Sequence, residues 1–245
     1  MSPRQIEKRV IIITGASEGL GRSLAIELAK PDNILILCSR NNKAMLSLCS
    51  EIKRKGVECY AYRVDILSKS EIIRFIRTIA IRFSKIDLLI NNAGAIHKGK
   101  LIEKITDEEF ILCMKTNLDS VFYTLREVIP RMRKRDEGII VTISSTAGKR
   151  GHPDYAAYSA SKFAVAGLMQ STARSLDGNK IRCITIFPAG MNTKMRKYIL
   201  GNSDAAKQQS TDIVARLINE AIQDKKKFPN GCEIVIRDGK IAAVT

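Results

Sequence analysis

Tyr158 and Lys162 stand four residues apart in Tyr158-Ser159-Ala160-Ser161-Lys162, a stretch with helical spacing, so a helix here sets a phenol and an ammonium on one face. A free tyrosine, with a pKa near ~10, shuttles protons poorly at neutral pH. An ammonium beside it stabilises the phenolate and makes the pair a usable acid/base. Reduction of a carbonyl by such a pair also needs a donor that polarises the oxygen. Ser144-Ser145 ends an apolar, strand-like run, where active-site residues of open α/β sheets collect. Taken alone, a Tyr-x-x-x-Lys pair equally fits an ordinary helix surface.

A second chemistry-bearing stretch is Thr14-Gly15-Ala16-Ser17-Glu18-Gly19-Leu20-Gly21, which follows the first apolar run and opens a helical segment. Gly15, Gly19 and Gly21 allow a tight turn, close approach of backbone to a pyrophosphate and close packing of helix on strand. The helix N-terminus adds N–H groups and a positive dipole end. Ser17, Glu18 and Leu20 belong to the same phosphate-binding turn. The second run ends in Cys38-Ser39-Arg40. A carboxylate there would bind a ribose 2′-hydroxyl, whereas Arg40 with Ser39 suits a 2′-phosphate, so NADP(H) is expected over NAD(H). A solvated arginine at a strand end is the plain alternative. Asp65, followed by Ile66, is placed to meet the adenine; its plain alternative is a turn-forming aspartate.

The elements that must position these residues are legible as apolar, β-branched runs at 10–13, 34–38, 61–64, 86–90, 139–143, 181–187 and 233–236, separated by stretches of helical spacing. Near-continuous apolarity suits strands buried on both faces. The alternation predicts an α/β fold: one Rossmann-type domain over residues 1–245, a doubly wound parallel sheet with helices on both faces. Residues 201–210 read as one mobile polar loop, and Thr211 as the N-cap of a helix over 212–222.

Composition excludes several classes. The longest apolar runs fall far short of a membrane span, and the start, Met-Ser-Pro-Arg-Gln-Ile-Glu-Lys-Arg, has no apolar stretch of the secretory kind, so a cytoplasmic protein is expected. The six cysteines form no C-x-x-C pair and read as buried reduced thiols. With only two histidines, no metal site is expected. The formal charge of +16 is spread over separate clusters (131–135, 149–150, 194–197, 225–227), and aromatic residues make up only 5% with no Trp. That pattern reads as a generally solvated basic surface, with no nucleic acid and no membrane as partner.

The ensemble of motifs resembles the short-chain dehydrogenase/reductase family, in its compact form of about this length, over nearly the whole chain. In order come Thr14 to Gly21, Asp65, Asn91-Asn92-Ala93-Gly94, Asn117, Ser145, Tyr158 with Lys162, and Pro188 to Thr193. The resemblance implies that Asn117, Ser145, Tyr158 and Lys162 form a catalytic tetrad. Tyr158 would be the acid/base, Ser145 would orient the substrate oxygen, Asn117 would hold a proton-relay water, and Lys162 would also grip the nicotinamide ribose. Asn91, Ala93 and Gly94 would support the sheet and flank the adenosine ribose. Pro188, Gly190 and Thr193 would line the nicotinamide.

The chain departs from the family pattern at three places. Glu18 stands where NADP(H)-preferring members often carry a basic residue, Ala189 where glycine usually follows the proline, and the C-terminus lacks a Val-Asp-Gly-Gly ending. The last, with a short segment between Thr193 and Thr211, weighs against fatty-acid synthesis. Residues 97–98, 149–152 and 194–197 are expected near the pocket mouth, and their positive charge motivates an anionic carbonyl or alcohol substrate; a merely basic surface is the alternative. Relatives imply a homodimer or homotetramer packed through the helices around 107–135 and 158–176. The first of these carries Val121, Phe122, Leu125, Val128, Ile129 and Met132, more apolar positions than one core stripe needs. Two other functional readings stand beside a general carbonyl reductase: a sugar or acyl-carrier ketoreductase, and a non-catalytic dinucleotide-binding sensor or scaffold.

Overall fold

Strand residues that are apolar at every position must find cover on both sides, and here they do. In the computed structural model, which describes residues 8–245, the runs form parallel strands β1 (Arg9–Thr14), β2 (Asn33–Ser39), β3 (Glu58–Arg63), β4 (Leu88–Asn91), β5 (Gly138–Ile143), β6 (Ile181–Pro188) and β7 (Glu233–Arg237). An antiparallel β8 (Lys240–Val244) completes the order β3-β2-β1-β4-β5-β6-β7-β8. The order in which successive strands are added reverses between the parallel β1 and β4, the switch point at which ligands of such sheets bind. Residues 1–7, on which the expectation of no secretory leader partly rests, lie outside the described residues. Among the described residues no helix is long and apolar enough to cross a membrane.

Consecutive strand residues face opposite layers, as the period of two requires. Ile11 and Ile13 join Leu24, Met45 and Ile218 beneath helices α1 (Gly19–Glu27), α2 (Asn42–Lys53) and α8 (Thr211–Gln223). Val10 and Ile12 join Ile76, Val128 and Met169 beneath α3 (Lys69–Phe83), α5 (Ser120–Arg135) and α6 (Ala156–Arg174). Between α3 and α5 lies α4 (Asp107–Met114), closed at its start by a reciprocal capping box of Thr106 and Glu109. Of the six apolar positions on α5, Val121, Leu125, Val128 and Met132 are buried in this core; Phe122 is exposed.

Four features differ from the sequence reading. The third strand starts at Glu58, three residues early, and the fourth at Leu88; their edge residues are polar or mixed, so hydropathy misplaced the ends. The strand β8 escaped notice because, as an exposed edge, it needs no apolar run. Residues 201–206 are not a loop. They continue α7 (Lys194–Ala206) beyond a kink at Gly201, whose φ of 85° suits glycine. Buried Ala205, the Arg196–Asp204 ion pair and the Gln209 side chain, bonded to the Ala189 and Ile236 carbonyls, hold this segment by polar contacts that no hydrophobic period reveals. Finally, Ser210 rather than Thr211 caps α8, accepting from the Asp212 N–H; the Thr211 hydroxyl instead accepts from Ser23 on α1.

The expectation of six reduced thiols is also corrected. Cys49 on α2 and Cys59 on β3 form a disulfide, because helix and strand pack side by side at a Cα–Cα distance of 5.4 Å. Cys38, Cys113, Cys183 and Cys232 are free and buried. Thiol titration of the unreduced, denatured protein is expected to find four thiols, and six after reduction. For this short loop, reduction should lower stability by on the order of 2–3 kcal/mol in a denaturant melt. Six thiols without reductant would show the pair to be open.

Candidate active site

At the C-terminal edge of the sheet the chain leaves β1 through the glycine turn and opens a crevice of about 1050 Å³. The turn is locked to the exit of β4. Thr14 Oγ1 accepts from the N–H groups of Asn92 and Ala93 (3.0 and 3.1 Å), and Asn92 Nδ2 donates to the carbonyls of Thr14 and Gly15. Gly15 has φ +65°, and a Cβ on it would lie 2.8 Å from Ala93 Cα, so only glycine fits between the two strand exits. A Cβ on Gly21 would collide with the Gly15 carbonyl, which makes Gly21 the contact that packs α1 onto β1; it does not line the crevice. Gly15, Ser17, Glu18, Gly19 and Leu20 do line it. A cradle held open by missing side chains at a helix N-terminus fits a dinucleotide pyrophosphate.

Ser39 and Arg40 line the crevice at the end of β2, joined by Asn41, which sequence reading missed. Asn41 Oδ1 caps α2 by accepting from the Ala44 N–H at 3.1 Å, and a residue of N-capping type right after a strand is the signal that could have marked it. The exposed Arg40 guanidinium has no hydrogen-bond or ion-pair partner among the described residues. Glu18 does have one: Lys194 Nζ, on α7, lies 3.4 Å from its carboxylate. Ile66 lines the adenine end, but Asp65 does not. Its carboxylate accepts from the Leu67 N–H at 3.0 Å and closes a turn, the plainer of its two readings.

Asn91 is buried behind the wall, its Oδ1 accepting from Thr124 Oγ1 at 2.8 Å, while Ala93 and Gly94 line the crevice itself. Asn117 likewise stands behind it, in a π-helical turn, Lys115–Asp119, between α4 and α5. Such turns arise where a helix must offer a side chain its ordinary pitch cannot. Asn117 Oδ1 accepts from the Ala95 N–H (2.9 Å), and its Nδ2 donates to the Ala95 carbonyl and to Ser161 Oγ (both 2.8 Å). The amide acts as a surrogate strand for the loop after β4. One lone pair of Oδ1 is left over, and that is where a water can be held.

Ser145, Tyr158 and Lys162 face the crevice together. Ser145 lies two residues beyond β5 and caps a 3₁₀ turn, Oγ accepting from the Ala147 N–H at 3.1 Å. Tyr158 and Lys162 share one face of α6, with Nζ 5.7 Å from the ring centroid. Nζ donates to the Ile143 carbonyl at 2.9 Å. Burial pushes the Lys162 ammonium down from 10.5 to about 8. Burial also raises the Tyr158 phenol above its ordinary value, opposed by a hydrogen bond with Ser145. For the chain by itself, desolvation sets the direction for Tyr158, and the phenol keeps its proton until a partner takes it.

The wall toward α7 shows Pro188, Gly190 and Thr193 where expected, with Met195, Ile199 and Leu200 beyond them. The last three were missed, although their spacing already marks one helical face. Of the expected ring of positive charge, Lys149, Arg150, Lys194 and Arg196 do line the crevice, but three of the four are paired. His97 is buried, and neither it, Lys98 nor Lys197 lines the crevice. Lys149 is ion-paired with buried Glu233, Arg196 with Asp204, and Lys194 with Glu18. Only Arg150 of that group lines the crevice without a partner among the described residues. Among the described residues no three His, Cys, Asp or Glu side chains could hold a metal ion.

Comparison with known proteins agrees with this geometry. The sequence profile described as short chain dehydrogenase matches residues 9–203. The chain is 30% identical over 221 residues to a 3beta-hydroxysteroid dehydrogenase of Mediterraneibacter gnavus, covering 90% of this chain and 76% of that one. It is 35% identical over 199 residues to an NADPH-dependent pterin aldehyde reductase of Arabidopsis thaliana, covering 81% of each. Among solved structures, a metagenomic short-chain oxidoreductase in complex with NADP superposes with a TM-score of 0.81 at 27% identity, covering 95% of this chain and 97% of that one.

The buried ammonium has a measurable consequence. Because Lys162 titrates lower in the folded than in the unfolded chain, the unfolded state binds more protons between about pH 8 and 10.5, and stability rises with pH across that window. Below it the buried ammonium costs on the order of 3 kcal/mol. Lys162→Met is therefore expected to raise the Tm of the cofactor-free protein at pH 7 by several degrees, the gain shrinking toward pH 10.5. A lower Tm at pH 7 would contradict the desolvation argument.

Proposed function

This chain belongs to the short-chain dehydrogenase family, oxidoreductases acting on CH–OH and C=O groups, and we propose that within it the protein is an NADP(H)-dependent carbonyl reductase or alcohol dehydrogenase with Tyr158 as acid/base. The observation that carries the cofactor choice is Arg40, a guanidinium lining the crevice beside Ser39 with no partner among the described residues. The NADPH-dependent relative and the NADP-bound neighbour support the same choice.

When bound, the nicotinamide supplies or accepts the hydride. The chain does the rest. The glycine turn and the α1 N-terminus bind the pyrophosphate. Tyr158 gives its proton to the carbonyl oxygen as that oxygen becomes an alkoxide, while the Ser145 hydroxyl orients it. Lys162, anchored on Ile143, has N–H groups left for ribose hydroxyls and keeps positive charge beside the phenolate. Asn117 holds the Ala95 loop that closes this side of the pocket.

The substrate end is mainly apolar. Met195, Ile199, Leu200, Pro153 and Tyr155 line it, and the Tyr155 ring is flanked by His152 at 4.9 Å and His97 at 5.8 Å between ring centroids. This supports an uncharged substrate with a cyclic or aromatic body. Arg150 keeps a second reading alive, an anionic group held at the mouth.

Fluorescence titration should show tight NADPH binding and weak NADH binding. Arg40→Ala should weaken NADPH by tenfold or more, and Tyr158→Phe should leave binding intact but abolish turnover. Equal binding of both cofactors, unaffected by Arg40→Ala, would overturn the 2′-phosphate argument. For matched neutral and anionic ketones, kcat/KM is expected to favour the neutral one and to change little with salt. A salt-sensitive preference for the anion, lost in Arg150→Ala, would establish the second reading instead.

A further inference from the structure

The strands β2 and β3 end in register, Ser39 beside Arg63, and the Val64 N–H still donates to the Ser39 carbonyl at 3.1 Å. In-register residues of neighbouring strands stand about 4.8 Å apart and carry their side chains on the same face of the sheet. Alternation fixes which face this is. Leu35 and Leu37 of β2 pack with Cys59 and Ala61 of β3 in the layer beneath α1 and α2, so Ser39 and Arg63, two residues further on, share that side. Ser39 lines the crevice, and so does Val64, which follows Arg63 in the chain; Arg63 itself is exposed at the end of the edge strand.

Among the described residues Arg63 has no hydrogen-bond or ion-pair partner, and in this it matches Arg40. The carboxylates of the neighbouring elements are engaged elsewhere: Glu51 with Arg22 at 2.7 Å, Glu58 with Lys8 at 2.8 Å, Asp65 with the Leu67 N–H, and Glu71 with the Asp65 N–H at 2.9 Å. A phosphate monoester carries about −1.5 to −2 charges at neutral pH, and Arg40 supplies one positive charge against it. Ser39 Oγ accepts from the Asn41 N–H at 3.0 Å, which leaves its own proton free to donate but adds no charge. Lys194 is matched to Glu18. The balance must come from another cation, and the register sets Arg63 beside Ser39, where a second guanidinium can offer the phosphate a pair of N–H bonds. Lys43, exposed in the first turn of α2, is the other unpartnered cation of this stretch among the described residues, and it offers a point charge without the planar fork.

We propose that Arg63 is a second specificity-determining residue for the cofactor, holding the 2′-phosphate of NADP(H) together with Arg40 and Ser39. This role rests on the reading of Arg40 as a 2′-phosphate ligand. Discrimination against NAD(H) is then divided between two strand ends, and neither arginine alone sets it.

Fluorescence titration of the full chain with NADPH and NADH tests it, using Arg63→Ala, Arg63→Lys, Arg40→Ala, the double variant Arg40→Ala/Arg63→Ala, and Lys43→Ala for comparison. Arg63 is exposed and unpaired, so its replacement leaves the fold intact, which a circular dichroism melt verifies. Arg63→Ala is expected to weaken NADPH about fivefold and to leave NADH unchanged, with Arg63→Lys recovering only part of the loss. In the double variant the two cofactors should bind equally. Competition by 2′-AMP and by 5′-AMP supplies a readout that a disturbed adenine pocket would not give: Arg63→Ala should weaken the first and spare the second. If Arg40→Ala removes the preference for NADPH while Arg63→Ala keeps it, or if Lys43→Ala changes it and Arg63→Ala does not, the inference is wrong and the reading of Arg40 stands. Equal weakening of NADPH and NADH in Arg63→Ala would also overturn it, since Arg63 would then only support the strand end. A wild-type chain that binds both cofactors equally overturns the reading of Arg40, and the role of Arg63 with it.

Discussion

The crevice exists because the backbone beyond β4 is satisfied without a neighbouring strand. A buried amide or carbonyl left unpaired costs on the order of 1–3 kcal/mol, so a sheet cannot simply end where a ligand needs room. Here side chains replace the missing ladder: Thr14 and Asn92 exchange bonds across the exits of β1 and β4, and Asn117 pairs both backbone groups of Ala95. The π-helical turn is what brings that amide to the right depth. With the loop so held, Gly94 lies near Asn117 Oδ1 and Lys162 Nζ, and a side chain there would intrude on both.

Around that frame, burial does the electrostatic work. The same desolvation holds the Tyr158 phenol up and pulls the Lys162 ammonium down, so each group is biased toward its neutral form until a bound partner supplies charge. The loop that carries Ser145 is tied down by another buried charge. Lys149 passes over the Phe187 ring to Glu233, which also accepts from Gln170 on α6 at 2.8 Å. A cation that looked available to a substrate is instead a strut between the 3₁₀ turn, the sheet and α6.

The strongly positive balance of the chain therefore has more than one meaning. Around the crevice Lys149, Lys194 and Arg196 are committed to nearby carboxylates, while Arg40, Arg150 and Arg237 line it without an ion-pair partner among the described residues. At the far edge of the sheet Glu127 and Asp87 are each shared by two cations. Net charge counts these residues alike; the distance of each to an acid distinguishes them.

By itself the sequence determined whatever depends on short-range order. The alternation of apolar runs with helical spacing specified a doubly wound sheet, the glycine spacing placed the phosphate turn, and a spacing of four put Tyr158 and Lys162 on one face. Those patterns are set by pitch and pleat, which are properties of a few consecutive residues. Only the tertiary structure decided that Asp65 closes a turn, that Asn117 holds Ala95, that Cys49 meets Cys59, that residues 201–206 are helical, and which cations are already paired. Each of those outcomes is a contact between side chains and groups brought together by packing, or a burial that no local pattern encodes, and both are settled when the layers close on one another.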